Sequence, residues 1–112
     1  MRVAILGNGD GTFQTPLAYG TGRGPRSVVI VDLDGDLKPD LATANDDPSA
    51  VATLTIWFGN GDGTFKDRSD YQGGVEPWSI EAGDFNGDGR ADLALPDLSR
   101  QGVNILLNTC LD

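Results

Sequence analysis

The sequence predicts an all-β fold of two tandem four-stranded antiparallel blades, without a helix. The first reason is an internal repeat: Gly-Asn-Gly-Asp-Gly-Thr-Phe at residues 7–13 returns unchanged at residues 59–65, an offset of 52. The second is the glycine content, 16 of 112 residues, which predicts many turns. The third is local pattern, because short apolar runs alternate with turn residues and none shows a sustained helical period with caps.

The repeat also sets the order of the strands. Four strands in a period of about 50 residues is the size of one β-propeller blade. With the strands of a blade lettered A to D, the chain reads C-D, then A-B-C-D, then A-B-C. We therefore treat residues 1–112 as one repeat region, with strands C and D of a partial blade at residues 1–19, a complete blade at residues 27–71, and strands A, B and C of the next blade at residues 79–109.

Three local features give more detailed expectations. The continuous β-branched run at residues 27–31 predicts a strand A that is buried on both faces. Trp57 lies in an apolar strand and is expected in the core. The two Gly-Asn-Gly-Asp-Gly segments predict hairpin turns. No Lys-Ser or Lys-Thr follows either segment, so neither is a phosphate-binding P-loop.

Two acidic loops carry the residues with metal-binding chemistry. Residues 84–92 read Asp-Phe-Asn-Gly-Asp-Gly-Arg-Ala-Asp, and residues 32–40 are their counterpart at the offset of 52. Oxygen donors at alternate positions suit Ca²⁺, which takes roughly 6–8 oxygen ligands. The twelfth position from Asp84 is Leu95, so the loop is not an EF-hand. The predicted ligands are Asp32, Asp34, Asp36, Lys38 (backbone carbonyl) and Asp40 in the first loop, and Asp84, Asn86, Asp88, Arg90 (backbone carbonyl) and Asp92 in the second.

The alternative interpretation of each loop is an ordinary Asx turn, since Asp, Asn and Gly are common turn residues. Converging carboxylates repel one another without a cation, and the loop occurs twice, so metal binding is favoured. The first loop departs from the pattern at one glycine position: Leu37 stands where the second loop has Gly89. If this position needs a positive φ, Leu37 costs on the order of 1–2 kcal/mol.

Together, the Leu-Gly-Asn-Gly-Asp-Gly-Thr-Phe turn and the Asp-Phe-Asn-Gly-Asp-Gly-Arg-Ala-Asp-Leu-Ala loop resemble the FG-GAP/VCBS repeat of integrin-α-like β-propellers. The resemblance extends over nearly the whole chain. It implies one Ca²⁺ per loop between strands A and B, two in all, and an extracellular or cell-surface protein, with any secretion signal outside this chain. The name-giving Gly-Ala-Pro element is not visible; Gly24-Pro25 and Glu76-Pro77 occupy its region.

The expected function is a calcium-binding repeat module that acts as a structural or adhesive interaction scaffold. It would be completed by self-assembly or by the rest of a larger propeller. Open strand edges favour a homo-oligomer or filament. The alternative is a calcium-dependent lectin, with Trp78 and Tyr71 as candidate sugar-contacting residues and a glycan as the ligand.

Other classes of function are disfavoured by composition. The net charge of −9 leaves no basic patch for nucleic acid, and no apolar run approaches the roughly 20 residues of a membrane span. The chain has no histidine, so Ser-His and Cys-His nucleophile pairs are excluded and no enzymatic activity is expected. The single Cys110 cannot form an internal disulfide.

Overall fold

The computed structural model describes residues 2–4, 7–12, 17–18, 23–46 and 53–108. Within these residues the chain forms strands and turns, and its only helical segment is a 3₁₀ turn at Leu98–Arg100. No described helix has the length and apolar character needed to cross a membrane. Cys110 lies outside the described residues. The strands are β1 Arg2–Ala4, β2 Leu17–Ala18, β3 Pro25–Val31, β4 Asp40–Asn45, β5 Leu54–Trp57, β6 Ser69–Tyr71, β7 Glu81–Gly83, β8 Asp92–Asp97 and β9 Gly102–Leu106.

The strands form three antiparallel sheets in the predicted order. β1 pairs with β2, the four-stranded sheet runs β3-β4-β5-β6, and the three-stranded sheet runs β7-β8-β9. Within each sheet, every strand pairs with the next strand in the sequence. This arrangement is the meander of a propeller blade. The prediction of an all-β, blade-type fold with the offset C-D, A-B-C-D, A-B-C is confirmed. The sheets that the described residues form do not close into a ring.

Strand A of the complete blade differs from the prediction. β3 alternates between half-buried and exposed residues along its length, and Val28 and Ile30 are 52% and 68% exposed. The expectation of burial on both faces is therefore wrong. β3 is an edge strand of its sheet, and no part of the chain that the structure describes covers its second face at these two positions. A continuous apolar run therefore did not imply two-sided burial.

The inner faces of the four-stranded and three-stranded sheets pack against each other. Strand register places Val29, Ala42 and Ile56 side by side on the four-stranded sheet. Ala82, Leu93 and Leu106 lie side by side on the three-stranded sheet. The core between them consists of Ala42, Ala44, Leu54, Ile80, Leu93 and Leu95, with Val29, Leu33, Ile56, Ala82 and Leu106 at its margin.

The close approach of the sheets depends on Gly73, which is buried between them. A Cβ at this position would lie 3.1 Å from Leu54 Cβ and 3.2 Å from Leu95 Cδ2, so no larger residue fits without displacing the core. Trp57, as expected, is only 2% exposed. It lies on the outer face of the four-stranded sheet, opposite Leu41.

Replacing Leu95 with alanine should reduce the free energy of unfolding by about 2–5 kcal/mol, because the side chain is fully buried and its removal leaves a cavity between the sheets. Leu98→Ala is the matched control, since Leu98 is 55% exposed and its truncation should cost no more than about 0.5 kcal/mol. Urea unfolding followed by tryptophan fluorescence measures both. Equal losses for the two variants would contradict the assignment of the core.

Candidate metal-binding loops

Both acidic loops connect strand A to strand B of their sheets. The first loop, residues 32–40, joins β3 to β4, and the second loop, residues 84–92, joins β7 to β8. Each begins with an exposed or half-buried Asp and ends with an Asp that is fully buried, Asp40 or Asp92. The buried residue is also the first residue of strand B. The loop is thus anchored at its end by the sheet.

The first carboxylate of each loop organises the backbone around it. Asp32 accepts hydrogen bonds from the N–H groups of Gly35 (2.9 Å) and Leu37 (2.8 Å). Asp84 accepts them from Gly87 (2.8 Å) and Gly89 (2.8 Å), and from Asp88 at 3.2 Å. These bonds curl the chain around one carboxylate, so that the following side chains can turn toward it.

The last carboxylate of each loop fastens the loop to the sheet. Asp40 accepts the N–H of Leu33 at 2.7 Å and that of Gly59 at 2.8 Å. Asp92 accepts the N–H of Phe85 at 3.0 Å and that of Asn108 at 2.7 Å. Gly59 and Asn108 both lie just beyond strand C of their sheets, so each carboxylate ties loop, strand B and strand C together.

Sequence reasoning missed this anchoring role. The alignment at an offset of 52 does not pair Gly59 with Asn108, because the two strands C are related by a shorter offset of 49: Trp57 opposes Leu41, and Leu106 opposes Leu93. The Asn108 side chain also donates to the backbone carbonyl of Leu33 in the first loop. Aligning the two strands C at their own offset of 49 would have paired Gly59 with Asn108, but it would not have shown that both bond to the last Asp of a loop.

The structure brings three carboxylates of each loop together. One carboxylate oxygen from each member of the trio lies within 4.8 Å of the others; the trios are Asp32, Asp34 and Asp40 in the first loop and Asp84, Asp88 and Asp92 in the second. Two oxygens on opposite sides of one Ca²⁺ would be separated by about twice the ion–oxygen distance of 2.3–2.6 Å. The donor chemistry and the spacing therefore fit a calcium ion in either loop.

The remaining predicted ligands have different roles in the two loops. Asp36 is not in the first trio, although its counterpart Asp88 is in the second. Asp36 and Asp88 each accept the N–H of the residue two positions on, Lys38 and Arg90, at 2.9 Å. The Arg90 guanidinium also lies 3.7 Å from Asp88. This pair is exposed and contributes little to stability.

Electrostatics distinguish the first loop from the second. Desolvation, the hydrogen-bonded Asp36 and the charge of Asp40 raise the pKa of Asp34 to about 6. The second loop has neutral Asn86 at this position. The N–H of Gly89 is the main cause that holds the pKa of Asp84 below its ordinary value. Desolvation alone would raise the pKa of Asp32, but the N–H groups of Leu37 and Gly35 outweigh it and the pKa is lowered. The first loop thus concentrates more negative charge, which a cation would relieve.

The Gly-Asn-Gly-Asp-Gly segments form turns rather than metal or phosphate sites. In each, the backbone of the Asn bonds to the Thr four residues on, at 2.9 Å. The Asp side chain accepts both the N–H and the hydroxyl of that Thr. These bonds lower the pKa of Asp10 and Asp62. The carboxylate is used inside the turn, as predicted for a hairpin.

The two lectin candidates lie in separate grooves. Trp78 is 57% exposed and lines a groove together with Glu76, Asp97 and Gln101. The Arg26 guanidinium lies over its ring, 4.2 Å from the centroid. Tyr71 lines a different groove between the sheets, near Asn108. A single small ligand would not contact both aromatic residues through one groove.

Leu37 and Gly89 share a left-handed backbone, with φ of 64° and 82°, and Leu37 is 92% exposed. Leu37→Gly should therefore raise the free energy of unfolding by about 0.5–1 kcal/mol, since it removes strain of about 1–2 kcal/mol while adding some freedom to the unfolded chain. Gly89→Leu should lower it by about 1–2 kcal/mol. Chemical denaturation measures both changes. A loss of stability in Leu37→Gly would show that the side chain, despite its exposure, makes contacts worth more than the strain.

A comparison with known protein families identifies the repeat to which the two loops belong. The profile of the FG-GAP-like repeat matches residues 2–43 and again residues 33–95. The two matches end 52 residues apart, the offset of the internal repeat, and each ends three residues beyond the last Asp of a loop. Neither a curated protein nor a solved structure matches significantly. Because the two profile matches cover most of the sequence and carry both acidic loops, the chain belongs to the FG-GAP-like repeat family.

Proposed function

We propose that this protein is a calcium-binding module of β-propeller type, which serves as a scaffold for interactions outside the cell or at its surface. The observation that carries the proposal is the pair of carboxylate trios, one in each repeat, with oxygens within 4.8 Å of one another. Membership of the FG-GAP-like family supports the interaction role and the extracellular location, where such repeats are typical.

Calcium would act as a structural element in this scaffold. Asp32, Asp34 and Asp40 would hold one ion and Asp84, Asp88 and Asp92 the other, with Asp36 and Asn86 and the carbonyls of Lys38 and Arg90 available as further oxygen donors. The ions would offset repulsion in a chain of net charge −9. Because Asp40 and Asp92 also bond to strand C, an ion at either site would reinforce the joint between loop and sheet. Metal binding would then contribute to folding.

Calcium should raise the thermal unfolding temperature relative to EDTA, and calorimetric titration should detect two sites. Asp34→Asn gives the first loop the side chain that the second loop carries as Asn86. This change should raise the unfolding temperature in EDTA, because it removes the Asp34 carboxyl group, whose pKa the loop raises to about 6. It should also reduce the gain on adding calcium, because one charged ligand is lost.

Asp62→Asn is the matched control. Asp62 is an exposed loop carboxylate whose hydrogen bonds, among the described residues, lie within its own turn. It belongs to neither carboxylate trio, so its replacement should leave the calcium-dependent gain unchanged. A wild-type protein with the same unfolding temperature and no heat of binding in calcium would refute the proposal and leave the acidic loops as Asx turns.

A second candidate function, glycan binding, is favoured by one observation. The groove beside Trp78 has a volume of about 320 Å³, within the range of small-ligand sites. It combines an exposed aromatic ring with the carboxylate of Glu76 and the amide of Gln101. Aromatic faces and polar groups are the features that a sugar requires, one for the apolar side of the ring and the other for its hydroxyls.

Trp78→Ala should abolish binding on a glycan array, or weaken it at least about tenfold, if this groove is a sugar site. Tyr71→Ala is the control, because Tyr71 lines the other groove and should leave binding unchanged. Calcium-dependent stability should persist in both variants. Glycan binding that survives in Trp78→Ala would place the sugar elsewhere, and a wild-type protein that binds no glycan would remove this function.

A further inference from the structure

Exposed apolar side chains are concentrated on the outer faces of the two large sheets. On the four-stranded sheet they are Val28 and Ile30 of strand A, 52% and 68% exposed. On the three-stranded sheet they are Val103 and Ile105 of strand C, 63% and 47% exposed. Phe85 of the second loop is also 50% exposed. Apolar residues clustered on a sheet face usually mark an interaction site.

The internal repeat indicates which kind of surface would cover the outer face of the four-stranded sheet. At the offset of 52, Val28 corresponds to Ile80 and Ile30 to Ala82. Ile80 is only 3% exposed, and both Ile80 and Ala82 pack in the core between the sheets. The same positions of strand A are therefore buried in one sheet by a preceding sheet and left open in the other.

The outer face of the three-stranded sheet is the counterpart surface. Val103 opposes Pro96, as Leu54 opposes Ala44, and Ile105 opposes Ala94, as Ile56 opposes Ala42. The pairs therefore occupy equivalent places: Val103 corresponds to Leu54 and Ile105 to Ile56. Leu54 and Ile56 pack in the core against the following sheet.

The acidic loops show the same difference between a packed residue and an exposed counterpart. Phe85 corresponds to Leu33 at the offset of 52. Leu33 packs at the margin of the core, whereas Phe85 is exposed. The exposed residues of each outer face thus correspond, through the repeat, to residues that pack against each other in the joint between the two sheets.

We propose that the occupant of these faces is a second copy of this chain, added head to tail. The outer face of the three-stranded sheet in one copy packs against strand A of the four-stranded sheet in the next, and reproduces between chains the strand A part of the joint formed within each chain. Leu41 and Trp57, on strands B and C of the same face, are already buried within the chain. The three-stranded sheet of one copy then lies beside the two-stranded sheet β1–β2 of the next. This inference rests on the blade-type scaffold of the proposed function and does not depend on calcium binding.

A second copy is favoured over an unrelated partner because the two faces complement each other on the same molecule. Such a contact is heterologous, so it generates a closed ring if the rotation between copies closes and a filament if it does not. Propellers close with about four to eight blades, so a ring of roughly two to four copies is expected. Each copy carries a charge of −9, and therefore salt that screens this repulsion should strengthen the association.

The test uses two variants that each destroy one face. Val28→Asp removes the strand A side and Ile105→Asp removes the other, because each would bury an unpaired carboxylate and weaken association at least about 100-fold. Light scattering coupled to size exclusion, at about 200 µM protein in calcium and 0.15 M salt, should show an oligomer or filament for the wild type and a monomer for each variant.

Mixing the two variants separates head-to-tail contact from symmetric contact. Val28→Asp keeps the intact three-stranded face and Ile105→Asp keeps the intact strand A face, so the mixture should form a dimer of one copy of each and nothing larger. Tyr71→Asp is the control, since Tyr71 is 46% exposed and lies on neither outer face. It should remain an oligomer.

A monomeric wild type, or a mixture that stays monomeric, overturns the inference. Circular dichroism checks that the variants are folded, and Ile30→Asp with Val103→Asp replaces either variant that is not. Calcium titration of the monomeric variants is read separately, so loss of assembly with retained calcium binding is distinct from a failure of the proposed function.

Discussion

Packing of one sheet against the next is the interaction on which the rest of the structure depends. Each sheet is too small to bury its own apolar residues, and its faces become a core only when another sheet covers them. Ile80, which immediately precedes β7 of the three-stranded sheet, is buried in the core that this sheet forms with the four-stranded sheet. Val28, its counterpart, remains exposed because no sheet formed by the described residues covers it. The fold is therefore modular, and the stability of each blade is a property of its joints.

The acidic loops are secured by the same sheets. A buried carboxylate is costly unless hydrogen bonds or an opposite charge compensate it. Asp40 and Asp92 are fully buried, and each accepts N–H groups from its own loop and from the end of strand C. These bonds hold one oxygen donor in a fixed place, and the rest of the loop curls around the first Asp beside it. A divalent cation would compensate the remaining charge. Folding and metal binding therefore both require a carboxylate at these two positions.

The sequence was sufficient for the order of the strands and the location of the loops, because both follow from the internal repeat. It was not sufficient for burial. The residues of β3 form an unbroken apolar run, and such a run does not reveal whether a neighbouring sheet is present to cover each face. Nor did it reveal that Asp40 bonds to Gly59, because the strands C follow a different offset from the rest of the repeat. Contacts between sheets decide the first feature and a contact between two strands of one sheet decides the second. Local pattern carries no information on either.

Backbone conformation, by contrast, could be transferred between the repeats residue by residue. Gly89 has a positive φ, and so does its counterpart Leu37; Gly24 has a positive φ, and so does its counterpart Glu76. In each pair one repeat retains glycine and the other bears a side chain in a conformation that favours glycine. The strain falls on opposite sides of strand A in the two repeats, within the acidic loop that follows the strand in the first and immediately before Pro77 in the second. Because the backbone is the same in both copies, contacts shared by the repeats, such as the bonds from the N–H groups of Leu37 and Gly89 to the first Asp of each loop, determine the path of the chain, and the local preference of these residues does not.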